Sequence, residues 1–239
     1  MKISIEPINK TCLEPEVFES LLSLNHQNIL ELGCGDATIT RLIATTGEDR
    51  TVIATDVDVL QHEKNLLIED LPNVSFELAG SENISAANDS FDVVFMFKSL
   101  HHVPGHLMEQ ALHEVKRVLK PAGIAYISEP IYAGEFNEVL RLFHDEESVR
   151  KKAFDCIEKV VNSQEFTLLD ELFFNTPVTF ENFDQFSARV IGATHSEHQL
   201  SDELYSKVKQ KFESVHKSNK GNFLIPVRVD LLQINETRK

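Results

Sequence analysis

The stretch ILELGCGDA, residues 29–37, carries the strongest structural signal in this 239-residue chain. A short apolar run leads into a turn that contains Gly33 and Gly35, and helical periodicity follows. Glycine lets a chain turn sharply where a strand ends, and it lets a ligand approach bare backbone. The helix after such a turn directs free N–H groups and its positive dipole end at that ligand. The pattern therefore predicts a loop that binds a nucleotide-like molecule.

The first half of the chain alternates short apolar strands with amphipathic helices. We expect Pro121 and Gly123 to end the last of these helices. This alternation predicts an α/β fold with a doubly wound, mostly parallel sheet. In such sheets ligands bind beyond the carboxyl ends of the strands. The strands are predicted at 28–32, 51–55, 74–78, 91–97 and 123–128.

The second half of the chain is more helical, with a late apolar run that reads as a strand. Eleven of its residues are phenylalanines, which we interpret mainly as core. We predict one domain whose helical segments form a lid over the substrate region. Within that lid, His195 and His198 belong to a stretch predicted to be a solvated loop. The predicted boundaries are 1–239 for the domain, 28–130 for the cofactor-binding core, 131–165 and 181–220 for the lid, and 223–234 for the late strand.

Composition excludes several classes of protein. The formal net charge is −15, which disfavours nucleic acid as a partner because such a surface repels phosphate backbones. Three widely spaced cysteines argue against a disulfide framework. The N-terminus lacks the apolar run of a signal peptide, and no apolar run is long enough to span a bilayer. We therefore expect a cytoplasmic protein with no membrane partner; the oligomeric state stays open.

Asp56, at the end of the second predicted strand, indicates a ribose site. An acid there can accept hydrogen bonds from both ribose hydroxyls. A dinucleotide-binding fold uses the same device, so the glycine pattern has to discriminate. The NAD-type fingerprint G-x-G-x-x-G needs a third glycine, and this chain has Thr38 there. An NAD-dependent oxidoreductase is thus the less favoured alternative.

Five blocks of sequence occur in order and at ordinary spacing: ELGCGDA, VIATDVD, AGSENI, SFDVVFMFKSLHHV and KRVLKPAG. Together they resemble the class I S-adenosylmethionine-dependent methyltransferases, in particular the small-molecule, type 11-like group. The resemblance implies a seven-stranded, mostly parallel sheet with a helical lid. It also implies S-adenosyl-L-methionine as cofactor and methyl transfer to a small-molecule acceptor. Two alternatives remain: a non-catalytic subunit that binds S-adenosylmethionine or S-adenosylhomocysteine, and a protein side-chain methyltransferase.

The resemblance also assigns cofactor contacts. The backbone of the glycine loop would face the methionine half, and Glu31 with the carbonyl near Phe97 would favour its ammonium. Asp56 would hold the ribose, and Val57 would lie against the adenine. Where the family usually has an aspartate for the adenine amino group, this chain has Gly80. The full predicted set is Glu31, Gly33, Cys34, Gly35, Asp56, Val57, Gly80, Ser81, Glu82 and Phe97.

The acceptor side is less determined by the sequence. His101 is a candidate general base at the rim of the methyl pocket, although a histidine that only begins a helix or lies in a loop fits equally well. Lys98 would be unfavourable beside a sulfonium, so we expect it to point away or to bind an acidic group of substrate or cofactor. No metal site is predicted, because no carboxylate cluster accompanies the loosely spaced histidines His102, His106 and His113.

Overall fold

The computed structural model describes residues 1–192 and 200–235. Its sheet has the strand order β3-β2-β1-β4-β5-β7-β6. Strands β1 to β5 pair in parallel, whereas β7 runs antiparallel to both of its neighbours, β5 and β6. The predicted α/β fold with a doubly wound, mostly parallel, seven-stranded sheet is confirmed. The strands are β1 Asn28–Leu32, β2 Thr51–Asp56, β3 Val74–Leu78, β4 Phe91–Phe97, β5 Leu119–Pro130, β6 Phe166–Thr179 and β7 Asn222–Ile234.

Helices cover the sheet and fill the segments between strands. They are α1 Glu14–Leu21, α2 Thr38–Thr45, α3 Val59–Asn65, α4 Met108–Val118, α5 Gly134–Leu140, α6 Glu147–Asn162, α7 Phe183–Phe186 and α8 Asp202–Asn219. A 3₁₀ turn, Leu100–His102, follows β4, and a π-helical turn, Ser187–Ile191, follows α7. His195 and His198 lie outside the described residues. Across the ranges that the structure describes, no helix has the length and apolar character needed to cross a membrane.

Each face of the sheet is buried against helices because the helices carry apolar stripes. On one face, α4 buries five residues at helical spacing: Met108, Ala111, Leu112, Val115 and Val118. On the other face, Val17 and Phe18 of α1 and Ile43 of α2 pack against β1 and β4. A third apolar cluster joins α5, α7 and α8 and contains Phe180, Phe183, Phe186, Phe212 and Phe223.

Pro121 and Gly123 follow shortly after the end of α4, but the predicted start of β5 at residue 123 is wrong. The helix ends at Val118, before Pro121 and Gly123, and Leu119 already pairs with Phe91 in β5. The register then shifts, so that Ile124 pairs with Val93. Pro121 cannot continue the helix and has no N–H for the ladder, so it lies in this irregular start of the strand.

Candidate active site

The first glycine of the loop after β1 is required by packing. Gly33 has φ +79°, and its N–H and that of Cys34 donate to the Thr55 carbonyl at 2.8 and 2.9 Å. A Cβ at position 33 would lie 2.6 Å from Cβ of Ser99. The loop is therefore pressed against both β2 and the turn that follows β4, and a side chain at residue 33 would force them apart.

Gly35 faces open space instead. Its φ is +53°, and a Cβ at this position would have no heavy atom of the described residues within 4 Å, apart from its chain neighbours. The peptide is nonetheless held, because its N–H donates to Asp56 Oδ2 at 2.7 Å and its carbonyl accepts from Asn65 Nδ2 at 2.8 Å. This is a fixed, bare backbone surface with room beside it, as the approach of a ligand requires.

The Asp56 carboxylate holds the backbone at that surface in place. Its second oxygen, Oδ1, accepts the Asp58 N–H at 2.9 Å, so the carboxylate links the glycine loop to the start of α3. Next to it, Val57 is 70% exposed and Leu78, at the end of β3, is 49% exposed. A carboxylate beside exposed apolar side chains at two adjacent strand ends fits a nucleoside, whose ribose is polar and whose base has apolar faces.

The block after β3 lies beside Asp56. The Ala79 N–H donates to the Asp56 carbonyl at 3.1 Å, and residues 80–82 are half-buried. The carboxylate of Glu82 folds back to the place where a Cβ on residue 80 would stand. Gly80 is therefore what allows Glu82 to lie against its own backbone, and Ser81 and Glu82 supply the polar side chains of this block.

Glu31 is buried beneath the glycine loop. Its Oε2 accepts a hydrogen bond from Thr40 Oγ1 at 2.6 Å. Burial raises the pKa of Glu31 to about 8, and the Thr40 hydrogen bond only partly offsets this effect. A cation that binds beside such a carboxyl group favours its ionised form.

Two other residues of the predicted cofactor set have side chains that are buried near the loop. Cys34 is buried, and burial raises the pKa of its thiol, which makes it an unreactive packing residue. The ring of Phe97 stacks on Phe95 with centroids 4.9 Å apart. Phe97 can therefore contact a ligand only through its backbone.

Lys98 forms an ion pair with Glu14 of α1, a carboxylate with a nearly buried side chain. The sequence left two possibilities, that Lys98 points away from the sulfonium or that it binds an acidic group of substrate or cofactor. The partner in the structure is instead an acid of the protein, brought near by the packing of α1 on the sheet. The Lys98 charge is thereby balanced within the fold.

His101 lies in a buried ionic network. Its Nδ1 is 2.5 Å from Glu129 Oε2 at the end of β5, and its Nε2 is 3.5 Å from Glu146 Oε1. Burial alone would lower the pKa of His101, but the two carboxylates outweigh it and raise the pKa to about 9. His101 is thus a cation at neutral pH. Glu129 and Glu146 could not be predicted as partners of His101, because they are distant in the chain and belong to no recognised motif.

The sequence suggested no carboxylate cluster beside His102, His106 and His113, but the fold brings one carboxylate, that of Glu146, to His101 and His102. Donor atoms of His101, His102 and Glu146 all lie within 4.8 Å of one another, a set that could hold a metal ion. Glu146 already has a protein cation, since Arg150 Nη2 lies 2.6 Å from its Oε2. By contrast, His113 lies on α4 and pairs with Glu165 at 3.4 Å.

A cleft of about 230 Å³ opens beside the network, beyond the carboxyl ends of β4 and β5. Its lining includes none of the ten predicted cofactor residues. It is a separate compartment, and Lys98 and His101 on its wall flank Ser99, which touches the glycine loop. Its apolar wall is formed by Ile131, Phe136, Leu140, Val190, Ile225 and Pro226.

Comparison with known proteins agrees with this geometry. Residues 29–123 match the family model described as a methyltransferase domain. Methyltransferase GfsG of Streptomyces halstedii is 28% identical over 144 residues, which are 57% of this chain and 50% of GfsG. O-methyltransferase rstn1 of Aspergillus nomiae is 31% identical over 141 residues, 56% of this chain and 60% of the relative. The chain thus covers about half the length of the curated relatives it matches.

The fold has close counterparts among solved structures. The crystal structure of YcgJ from Bacillus subtilis aligns with a TM-score of 0.61 at 17% identity, over 93% of this chain and 98% of YcgJ. At that identity the likeness concerns the fold alone. The family that the domain match indicates uses S-adenosylmethionine. The sheet topology is that of the class I S-adenosylmethionine-dependent methyltransferase fold, and residues 29–123 are similar to a methyltransferase domain.

Proposed function

We propose that this chain transfers a methyl group from S-adenosylmethionine to a small-molecule acceptor. The observation that carries the proposal is the closeness of the glycine loop to the cleft. Gly33 of the loop packs against Ser99, and the residues Lys98 and His101 near it in the chain line the cleft. A bisubstrate transfer needs its two reactants held on either side of one short gap.

The residues around the loop fit the donor. Glu31 would pair with the ammonium of the methionine part, and the backbone from Gly33 to Gly35 would lie along it. Asp56 would accept hydrogen bonds from the ribose hydroxyls while it keeps its own hold on the loop. Exposed Val57 would cover one face of the adenine, and residues 80–82 would meet its polar edge.

When bound, S-adenosylmethionine supplies a sulfonium methyl group, which an acceptor oxygen or nitrogen takes by in-line attack as the carbon–sulfur bond breaks. The contribution of the chain is alignment and exclusion of water. The apolar wall of the cleft keeps the reacting atoms dry. We assign His101 a positioning role, because it is already protonated at neutral pH and ties the turn after β4 to Glu129.

The cleft volume favours a small molecule over the two alternatives. A cleft of about 230 Å³ suits a single-ring or short-chain compound, and ligand pockets are commonly larger than this. A protein side-chain methyltransferase would instead need a groove for the flanking peptide. A non-catalytic subunit would have no use for an apolar acceptor wall beside the donor loop.

Transfer of labelled methyl from S-adenosylmethionine to a panel of small hydroxy and amino compounds tests the proposal. We expect turnover on a subset of the panel and loss of turnover in Asp56→Asn. The matched control is Asp155→Asn, an exposed aspartate of α6 that pairs with Lys151. Label that appears only in added protein would favour the side-chain alternative. Binding of S-adenosylhomocysteine with no turnover on any acceptor would favour the non-catalytic subunit.

A further inference from the structure

The cleft is richer in hydrogen-bond donors than in acceptors. Glu146 is the carboxylate among its described lining residues, and it is already engaged. Its Oε1 lies 2.8 Å from His144 Nε2, and its Oε2 lies 2.6 Å from Arg150. The cleft therefore offers a ligand hydrogen-bond donors, whereas the carboxylate among its described lining residues is already paired.

Two of those donors are buried and unpartnered. Asn137 is 5% exposed, and its Nδ2 has no partner within the described residues. The orientation of its amide is fixed, because Oδ1 accepts from Arg150 Nη1 at 3.1 Å and a guanidinium can only donate. Arg150 Nε is likewise buried and unpartnered. Buried donors without acceptors cost free energy, and a bound acceptor atom recovers it.

Arg189 is a further cation that lines the same cleft. Arg189 forms no ion pair with any residue in the described parts of the chain. Its Nη1 donates to the Thr179 carbonyl at 3.4 Å, and its guanidinium carbon lies 5.2 Å from the centre of the Phe180 ring. Lys98 and Arg150 have carboxylate partners, whereas the described residues offer Arg189 no carboxylate, which leaves its charge for a ligand. In a chain of net charge −15, this local excess of cations is unusual.

We propose that the cleft binds a small carboxylic acid, with the carboxylate received by Asn137 and Arg189 and its apolar body against Ile131 and Phe136. The proposal rests on the proposed function, since it names the class of the methyl acceptor. Both carboxylate oxygens accept hydrogen bonds, which matches a paired amide and guanidinium. The apolar body of the acid would contact the apolar residues that form the rest of the cleft wall.

Binding of matched acids and amides to the S-adenosylhomocysteine-loaded chain tests this class. The probes are three pairs: benzoate and benzamide, 4-hydroxybenzoate and 4-hydroxybenzamide, and butanoate and butanamide. Binding of each probe is measured by calorimetry or ligand-observed NMR. We expect at least one acid to bind tenfold or more tighter than its amide. Equal affinity within every pair, or no binding of any acid, overturns the proposal. Binding of phenyl phosphate in place of the acids overturns it in favour of a phosphate subsite.

Two variants locate the subsite. Asn137→Asp keeps the acceptor for Arg150 but replaces the donor, so we expect at least tenfold weaker binding of the acid and no loss of S-adenosylhomocysteine binding. Its charge-matched control is Asn162→Asp, about 18 Å further along α6 from Arg150 at the usual helical rise. Arg189→Gln should weaken binding of the acid about fivefold. Its control is Arg141→Gln, which changes an exposed arginine paired with Glu138 and should leave binding of the acid unchanged. Site variants that behave like their controls contradict the assignment. Failure to load S-adenosylhomocysteine contradicts the proposed function instead.

Discussion

His101 Nδ1 lies 2.5 Å from Glu129 Oε2, and neither side chain is more than 3% exposed. The contact joins the turn after β4 to the end of β5, and Glu129 Oε1 also accepts the Leu100 N–H at 3.0 Å. Glu129 therefore fixes both the backbone and the side chain of this turn. Ser99, the residue before this turn, packs against the glycine loop, and His101 and His102 of the turn line the cleft, so the turn links the two parts of the site.

The His101 network should make stability depend on pH. The pKa of His101 is raised to about 9, so its stabilising contribution is complete below about pH 6.5 and is lost as pH rises through 9. We expect wild type to lose on the order of 3 kcal/mol of unfolding free energy between those limits from this group. Denaturant unfolding from pH 6 to 10 measures it. Glu129→Gln should flatten the slope, and the exposed-site control His106→Gln should keep it; equal slopes in all three proteins contradict the account.

Alanine substitutions of the two loop glycines should have different effects on stability and ligand binding. Gly35→Ala adds a methyl to open space at φ +53°, so we expect a stability cost of about 1–2 kcal/mol and at least tenfold weaker S-adenosylhomocysteine binding. Gly33→Ala also meets Cβ of Ser99, which should bring its total cost to about 2–5 kcal/mol. Thermal unfolding and calorimetric titration separate the two effects. Unchanged affinity in a folded Gly35→Ala protein would show that the ligand does not lie at this loop.

Glu31 should release a proton when the donor binds. Burial holds its pKa at about 8, so the empty site is mostly protonated at pH 7, and an arriving ammonium favours the ionised form. We expect up to one proton released per S-adenosylhomocysteine at pH 7, and affinity that falls as pH drops below 8. Titrations in buffers of different ionisation enthalpy count the protons. Glu31→Gln is the isosteric control, and the same proton count in both proteins rules out Glu31 as the ammonium partner.

The Lys98–Glu14 pair should show strong coupling. Lys98→Met leaves the Glu14 carboxylate buried without its cation, for which we expect a loss of about 2–3 kcal/mol of unfolding free energy. Adding Glu14→Gln removes the stranded charge and should recover much of that loss. A double-mutant cycle by denaturant unfolding measures the coupling. Additive losses would mean that Lys98 contributes through packing alone.

The sheet was predictable because its signals are local. Apolar runs and glycine turns place β1 to β4 within one residue of their observed bounds, and Gly33, Gly35 and Asp56 come together because parallel strands end at one edge. The start of β5 was not predictable, since the pairing of Leu119 with Phe91 overrides the usual meaning of Pro121. Contacts between distant residues, such as His101 with Glu129 and Lys98 with Glu14, depend on how the helices pack and leave no periodic trace in the sequence.

The most direct test of the central claim is calorimetric titration of the chain with S-adenosylhomocysteine, with NAD as the matched nucleotide control. The account predicts saturable binding of S-adenosylhomocysteine at one site per chain, weakened by Asp56→Ala by about 1.5–3 kcal/mol, and no comparable binding of NAD. Binding of NAD alone, or of neither ligand, would contradict the assignment of the glycine loop as the methyl-donor site.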